Sequence, residues 1–246
     1  MRNPLAENIL ASYIRLRNGL VLLAFFLPII LWVFGPHVHA RVAWLPLGSI
    51  SAYYYSSMSD VFVGILCAVG AFLIHYNGNS LNEGRVLNVA GLALICVAFF
   101  PMDAESFHSA YPDSYPNWFI HTHIMFPNAP INMYGLSMHG ISAVIFFLCI
   151  SVVCIHFSKS TLSFLPENLR LRYTVWYNSF GAWMIIAPII VFLFHALQRP
   201  DHDNDVMVFF IELVGIWVFA AYWLVKSSEL KISAVEHKAI RAHLSL

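Results

Sequence analysis

The sequence predicts an all-α protein, a polytopic helical bundle that crosses a membrane about six times. Composition is the first reason: 59% of the 246 residues are hydrophobic and 11% are charged, whereas about a quarter of a soluble domain is charged. The second reason is a series of apolar segments near the length of about 17–25 residues that spans a bilayer. The third is the one-sided distribution of Lys and Arg between the segments.

Six apolar segments qualify as spans, and their apolar residues surround each predicted helix, as in buried or lipid-facing helices. They cover residues 19–35, 61–77, 86–101, 135–157, 173–197 and 206–226. Two outer connections, 36–60 and 102–134, are too long for plain turns, and loops of that length usually function or pack as a cap. No linker or repeat divides the chain, so residues 1–246 form a single transmembrane domain.

Both ends of the chain carry short amphipathic patterns. Residues 4–17 predict an interfacial helix with Asn3 as its cap and Pro4 at its first position, and residues 227–246 predict a cytoplasmic amphipathic helix. A signal peptide is the alternative interpretation of the N-terminus. It is disfavoured because the first apolar run exceeds a usual signal core and its removal would leave an odd number of spans.

The basic residues fix the predicted orientation. Two of them, Arg41 and Arg199, lie in outer connections, and eleven lie on the other side. The eleven are Arg2, Arg15, Arg17, Arg85, Lys159, Arg170, Arg172, Lys226, Lys231, Lys238 and Arg241. Because basic loops stay in the cytoplasm, both termini are expected there.

Several classes of function find no support in the sequence. Thirteen basic and thirteen acidic residues give zero net charge, so no basic field indicates nucleic acid, and membrane lipids are the expected partners. The four cysteines lie in apolar runs without a CxxC pair, which indicates buried side chains. Nucleotide-binding and serine-hydrolase sequence motifs do not occur. The sequence does not indicate an oligomeric state.

Polar residues inside predicted spans are the first functional candidates, because hydrocarbon makes them costly. Glu212 lies in the last span, where it could make a helix–helix contact or handle a ligand or proton. His139 lies early in the fourth span beside Gly140, a pattern that also suits close helix packing. His195, at the outer end of the fifth span, could equally reach the lipid headgroups.

The stretch SISAYYYSSMSDVFVG at residues 49–64 is the most distinctive in the chain. Eight hydroxyl side chains precede Asp60, which could cap the second span, and the tyrosines could form an aromatic belt. Hydroxyls beside a carboxylate also suit a polar headgroup. We therefore predict an outward-facing polar pocket for a lipid headgroup, ion or small solute. Its candidate residues are Ser51, Tyr55, Asp60, Asp103, His139, His195 and Glu212.

Outer histidines raise a second hypothesis, an intramembrane zinc hydrolase acting on a lipid-like substrate. The metal candidates are His121, His123, His139 and His195, with Asp103 nearby in sequence. Zinc would activate a bound water there. The spacing matches no fixed metal motif, and a solvated histidine-rich loop explains it as well. A third possibility is that the polar residues only hold the bundle together.

Two segments carry a family resemblance over roughly residues 45–225. SISAYYYSSMSDVFVG resembles a motif of small multipass bacterial membrane proteins. FFPMD followed by MHGISAVIFFL resembles the domain-of-unknown-function family numbered 998. The resemblance implies a helical bundle in a bacterial inner membrane. Relatives often have His at the position of Tyr55, so an imidazole ligand is not expected there.

A fainter similarity is to the alkaline-ceramidase-like superfamily of membrane hydrolases, which uses Ser, Asp and His around zinc. Ser51, Asp60 and His139 would supply those residue types here. The chain departs from that pattern at Tyr55, which replaces the histidine of a Ser-x3-His pair, and it has no HxxxH.

Overall fold

The residues that the structure describes form six long helices, which confirms the all-α prediction. The computed structural model describes residues 4–36, 45–100, 102, 132–133, 136–197 and 206–233. The helices are α1 (Pro4–Phe34), α2 (Ser59–His75), α3 (Leu81–Phe99), α4 (Met138–Val152), α5 (Glu167–Leu197) and α6 (Met207–Ser233). A 3₁₀ helix covers Ser51–Tyr55, and two short strands, β1 (Asn132–Met133) and β2 (Leu136–Ser137), pair antiparallel.

Within the described residues, five helices are long and apolar enough to cross a membrane. The sixth, α2, has 17 residues, or about 26 Å at 1.5 Å per residue. The outward surface is correspondingly apolar: Leu171, Phe192 and Leu92 are 69%, 62% and 57% exposed. The chain is therefore a helical multipass membrane protein.

Each helix packs against the next along the chain, and α6 packs against α1, so the helices close into a ring. The tightest approach joins α2 to α3 through Gly70 and Gly91. A Cβ added at Gly91 would lie 2.5 Å from the carbonyl oxygen of Gly70. Small residues allow such close backbones in membranes, and a side chain here would push the two helices apart.

The polar contacts show that the helices alternate in direction. Arg17, in the first half of α1, donates to the hydroxyl of Tyr76 just after α2. His139, at the start of α4, contacts the carbonyl of Phe100 just after α3. All described Lys and Arg residues belong to the end that holds the start of α1 and the end of α6, which we call the inner end. The opposite end is the outer end.

Helix boundaries differ from the prediction at both ends of the chain. α1 runs unbroken from Pro4 through Pro28, so residues 4–17 do not form a separate interfacial helix. Gly19 lies inside α1 and faces α2, where an added Cβ would lie 3.4 Å from the ring of Phe72. α6 continues to Ser233, which places the start of the expected tail helix inside the bundle. Asn3 and residues 234–246 lie outside the described residues.

The inner end of α4 changes its helical type. A π turn covers Val153–Phe157 and a 3₁₀ helix covers Ser158–Phe164. The hydroxyl of Ser158 donates to the carbonyl of Val153 at 3.0 Å. Since a π turn inserts an extra residue into the helix, it shifts the following face, and Ser158 and Thr161 are buried against α6.

Candidate functional site

Residues 45–58, which we call the inserted segment, enter the outer end of the bundle instead of forming a surface loop. Tyr53, Tyr54 and Tyr55 are at most 5% exposed. The backbone N–H of Phe209, in the first turn of α6, donates to the carbonyl of Gly48 at 2.9 Å. The three tyrosines are therefore part of the core and not of a lipid-facing aromatic belt.

Glu212 holds the start of the 3₁₀ helix. Its carboxylate accepts the backbone N–H of Ile50, the residue before the 3₁₀ helix, at 2.6 Å. The first N–H groups of a helix have no partner within it, and a carboxylate is a strong acceptor for them. Glu212 thus provides from α6 an acceptor for the N–H of Ile50 at the start of the 3₁₀ helix.

His139 is 8% exposed and bonds through both ring nitrogens. Nδ1 lies 2.9 Å from the carbonyl oxygen of Phe100, and Nε2 lies 2.8 Å from Oγ of Ser51. Because a carbonyl only accepts, Nδ1 carries the hydrogen. In the neutral imidazole Nε2 is then an acceptor, and the Ser51 hydroxyl donates to it.

The structure thus brings three of the sequence candidates together. Ser51, His139 and Glu212 meet at the start of the 3₁₀ helix. Glu212 bonds the backbone N–H of Ile50, and His139 bonds the hydroxyl of Ser51. Tyr55, about one turn further on, donates its hydroxyl to the carbonyl of Met102. We call the Ser51–His139 pair the dyad.

Asp60 lies apart from these bonds, in the first turn of α2, and it is exposed. The N-cap of α2 is Met58, so Asp60 does not cap the helix, although its charge suits the helix N-terminus. Together with Tyr54, Ser59 and Phe99, Asp60 lines a cleft of about 250 Å³. An added Cβ at Gly64, also in this wall, would meet nothing within 4 Å.

The cleft adjoins the dyad along the chain. Residues three apart in a 3₁₀ helix lie on the same face, so Ser51 and Tyr54 lie on the same face of this helix. Phe99, which also lines the cleft, directly precedes Phe100, whose carbonyl bonds His139. A molecule in the cleft would therefore contact Tyr54, three residues after Ser51, and Phe99, next to the residue that bonds His139.

The structure does not describe the side chains of the remaining candidate residues. Asp103, His121 and His123 lie outside the described residues, as does the side chain of His195 in the last turn of α5. Among the residues that the structure describes, no three His, Cys, Asp or Glu side chains come together to hold a metal. The zinc site stays a prediction, and it would need ligands from the undescribed segments.

A second polar group, which the sequence interpretation missed, lies at the inner end. Lys226 and Glu229 are 1% and 0% exposed, with Nζ and Oε2 2.9 Å apart. Lys226 also donates to Oγ1 of Thr161 at 2.8 Å, and Glu229 accepts from Thr161 and the Tyr177 hydroxyl. We call these four residues the inner cluster.

From the sequence, Lys226 was counted only as one of the eleven basic residues of the cytoplasmic side, at the end of the sixth predicted span, and the structure shows it buried. Its charge is enclosed by α6, α5 and the 3₁₀ helix at Ser158–Phe164, where it also bonds the carbonyl of Ser158. A Lys and a Glu three residues apart share a helix face, and this spacing within an apolar helix was the available signal.

The fold and these contacts define a helical multipass membrane protein with a polar site at its outer end and a buried ion pair at its inner end. Comparison of the chain with protein-family models, with curated proteins and with solved structures gave no match.

Proposed function

We propose that this protein binds, at its outer face, a lipid with an amine-bearing headgroup. The observation that carries the proposal is the cleft at Asp60, where an exposed carboxylate stands beside Tyr54 and Phe99. The resemblance to the 998 family supports placing the protein in a bacterial inner membrane.

The chemistry of the cleft favours a cation. A carboxylate attracts an ammonium group, and aromatic faces add about 0.5–2 kcal/mol for a cation placed over them. No Lys or Arg of the described residues lies at this end of the bundle. A phosphate alone would therefore meet an acidic group without a basic partner from the described residues.

The surface below the cleft favours a lipid over a free amine. Leu92 is seven residues before Phe99 on α3, which places it on the same helix face two turns deeper. It is 57% exposed, and the nearby Val89 is 48% exposed. A headgroup at Asp60 would therefore place its acyl chains along an apolar track on α3.

Native mass spectrometry of the purified protein tests this proposal. We expect phosphatidylethanolamine to be retained in preference to phosphatidylglycerol with the same acyl chains. Asp60→Asn should remove the preference, and Ser57→Ala, at an exposed residue outside the cleft, should keep it. A wild-type protein without preference, or an Asp60→Asn variant that keeps it, would overturn the proposal.

A further inference from the structure

We propose that Ser51 and His139 form a nucleophile–base pair that cleaves a carboxylic ester of the lipid bound in the cleft. This inference rests on the proposed function and adds a reaction to it. The distance of 2.8 Å between Ser51 Oγ and His139 Nε2 carries it, because a serine hydroxyl becomes a nucleophile when an adjacent base accepts its proton.

The surroundings of His139 suit a base. The carbonyl oxygen of Phe100, 2.9 Å from Nδ1, accepts the Nδ1 hydrogen, which fixes the ring and leaves Nε2 as the acceptor. In serine hydrolases a third group orients the histidine in the same way. Ser51 is half-buried while His139 is buried, so the nucleophile is the more accessible of the two.

The backbone around Ser51 is also held in place. Glu212 accepts the N–H of Ile50, the residue before Ser51, and acts as a positioning residue. The N–H of Ala52, the residue after Ser51, donates to the hydroxyl of Ser49 at 3.0 Å. Rotation of the Ser49 side chain would free this N–H to donate to a substrate oxygen. In serine hydrolases the backbone N–H of the residue after the nucleophile commonly stabilises the oxyanion.

The reaction has two balanced steps. The Ser51 oxygen bonds to the ester carbonyl carbon, its proton passes to His139 Nε2, and the ester C–O bond breaks as that proton moves to the departing alcohol. Water then attacks the acyl-serine and gives a proton to Nε2, which returns it to the Ser51 oxygen. The products are a fatty acid and a lysolipid, and water is the co-reactant.

The first test uses a fluorophosphonate probe on the purified full chain in lipid nanodiscs. We expect an adduct on Ser51, located by peptide mass spectrometry. Labelling should disappear in Ser51→Ala and slow by about 100-fold or more in His139→Gln, the usual contribution of a general base. Ser57→Ala should label like the wild type. If wild-type Ser51 forms no adduct, the proposed reaction of the dyad is overturned, whatever the variants do.

The second test separates cleavage from binding. Diester and diether phosphatidylethanolamine share the headgroup, and only the diester can release a fatty acid. Release from the diester that is lost in Ser51→Ala supports the dyad. Equal binding of both lipids, with no release and no Ser51 adduct, overturns the dyad and leaves the binding proposal standing. A labelled Ser51 without headgroup preference overturns the binding proposal alone.

Discussion

The carboxylate of Glu212 accepts the backbone N–H of Ile50 at 2.6 Å, across 162 residues of sequence. This bond joins the last helix to the inserted segment, which also carries Ser51. The outer site is therefore assembled from distant parts of the chain, and its geometry depends on a carboxylate that the sequence shows only as a solitary charge in an apolar span.

Replacing Glu212 should loosen the inserted segment. Glu212→Ala would leave the backbone N–H of Ile50 without its acceptor, which costs about 1–3 kcal/mol, whereas the amide oxygen of Glu212→Gln can still accept. We expect a clear fall in the thermal unfolding temperature for Ala and a smaller one for Gln, measured in detergent. Glu167→Gln, at an exposed acid, serves as the control. An Ala variant as stable as the wild type would contradict this role.

Breaking the ion pair in the inner cluster should destabilise the protein strongly. Lys226→Met leaves the Glu229 charge buried without its partner, which typically costs about 3–5 kcal/mol. The double variant with Glu229→Met should recover much of that loss, because both charges are then removed. Unfolding by denaturant measures both effects, with Lys231→Met at an exposed lysine as the matched control. Equal stability of the single and double variants would argue against a coupled pair.

The contact between α2 and α3 predicts a difference between two glycines. Gly91→Ala places a Cβ 2.5 Å from the carbonyl of Gly70 and should lower the unfolding temperature by several degrees. Gly64→Ala meets no atom within 4 Å and should leave it nearly unchanged. If both substitutions have the same effect, the close approach of the two helices is not what holds them.

Orientation can be measured with single cysteines in a background without the native ones. Ser57 and Ser163 are exposed at opposite ends of the bundle. Because the basic residues should face the cytoplasm, a membrane-impermeant maleimide applied to intact cells should label Ser57→Cys and not Ser163→Cys. The reversed pattern would invert the topology and place the cleft on the cytoplasmic side.

The helices follow from hydropathy because burying apolar side chains in lipid requires only local sequence. The ends of the helices do not follow from hydropathy: α1 begins at Pro4 and runs through Gly19 without a break, whereas the predicted span begins at residue 19. Lys226 was predicted only as the last residue of the sixth span, on the cytoplasmic side. Its partner Thr161 lies in the 3₁₀ helix at Ser158–Phe164, which hydropathy does not place.

The outer site was predicted in its residue types and only partly in its arrangement. Ser51, His139 and Glu212 were chosen separately because each is polar near an apolar span, and the structure brings them together. Asp60 was grouped with them because it is close to Ser51 in sequence, yet in the structure it lines the cleft and takes no part in their hydrogen bonds. Sequence spacing did not reveal that residues 45–58 turn inward, since that depends on hydrogen bonds from α6.

The helix α6 carries Glu212 and Lys226, separated by 14 residues or about 21 Å of helical rise, and no proline interrupts it. Its side chains bond Ile50 at the outer end of the bundle and Thr161 at the inner end. A shift of α6 along its axis that breaks the bond to Ile50 would also separate Lys226 from Thr161. A displacement at one end of the bundle would therefore change the contacts at the other end.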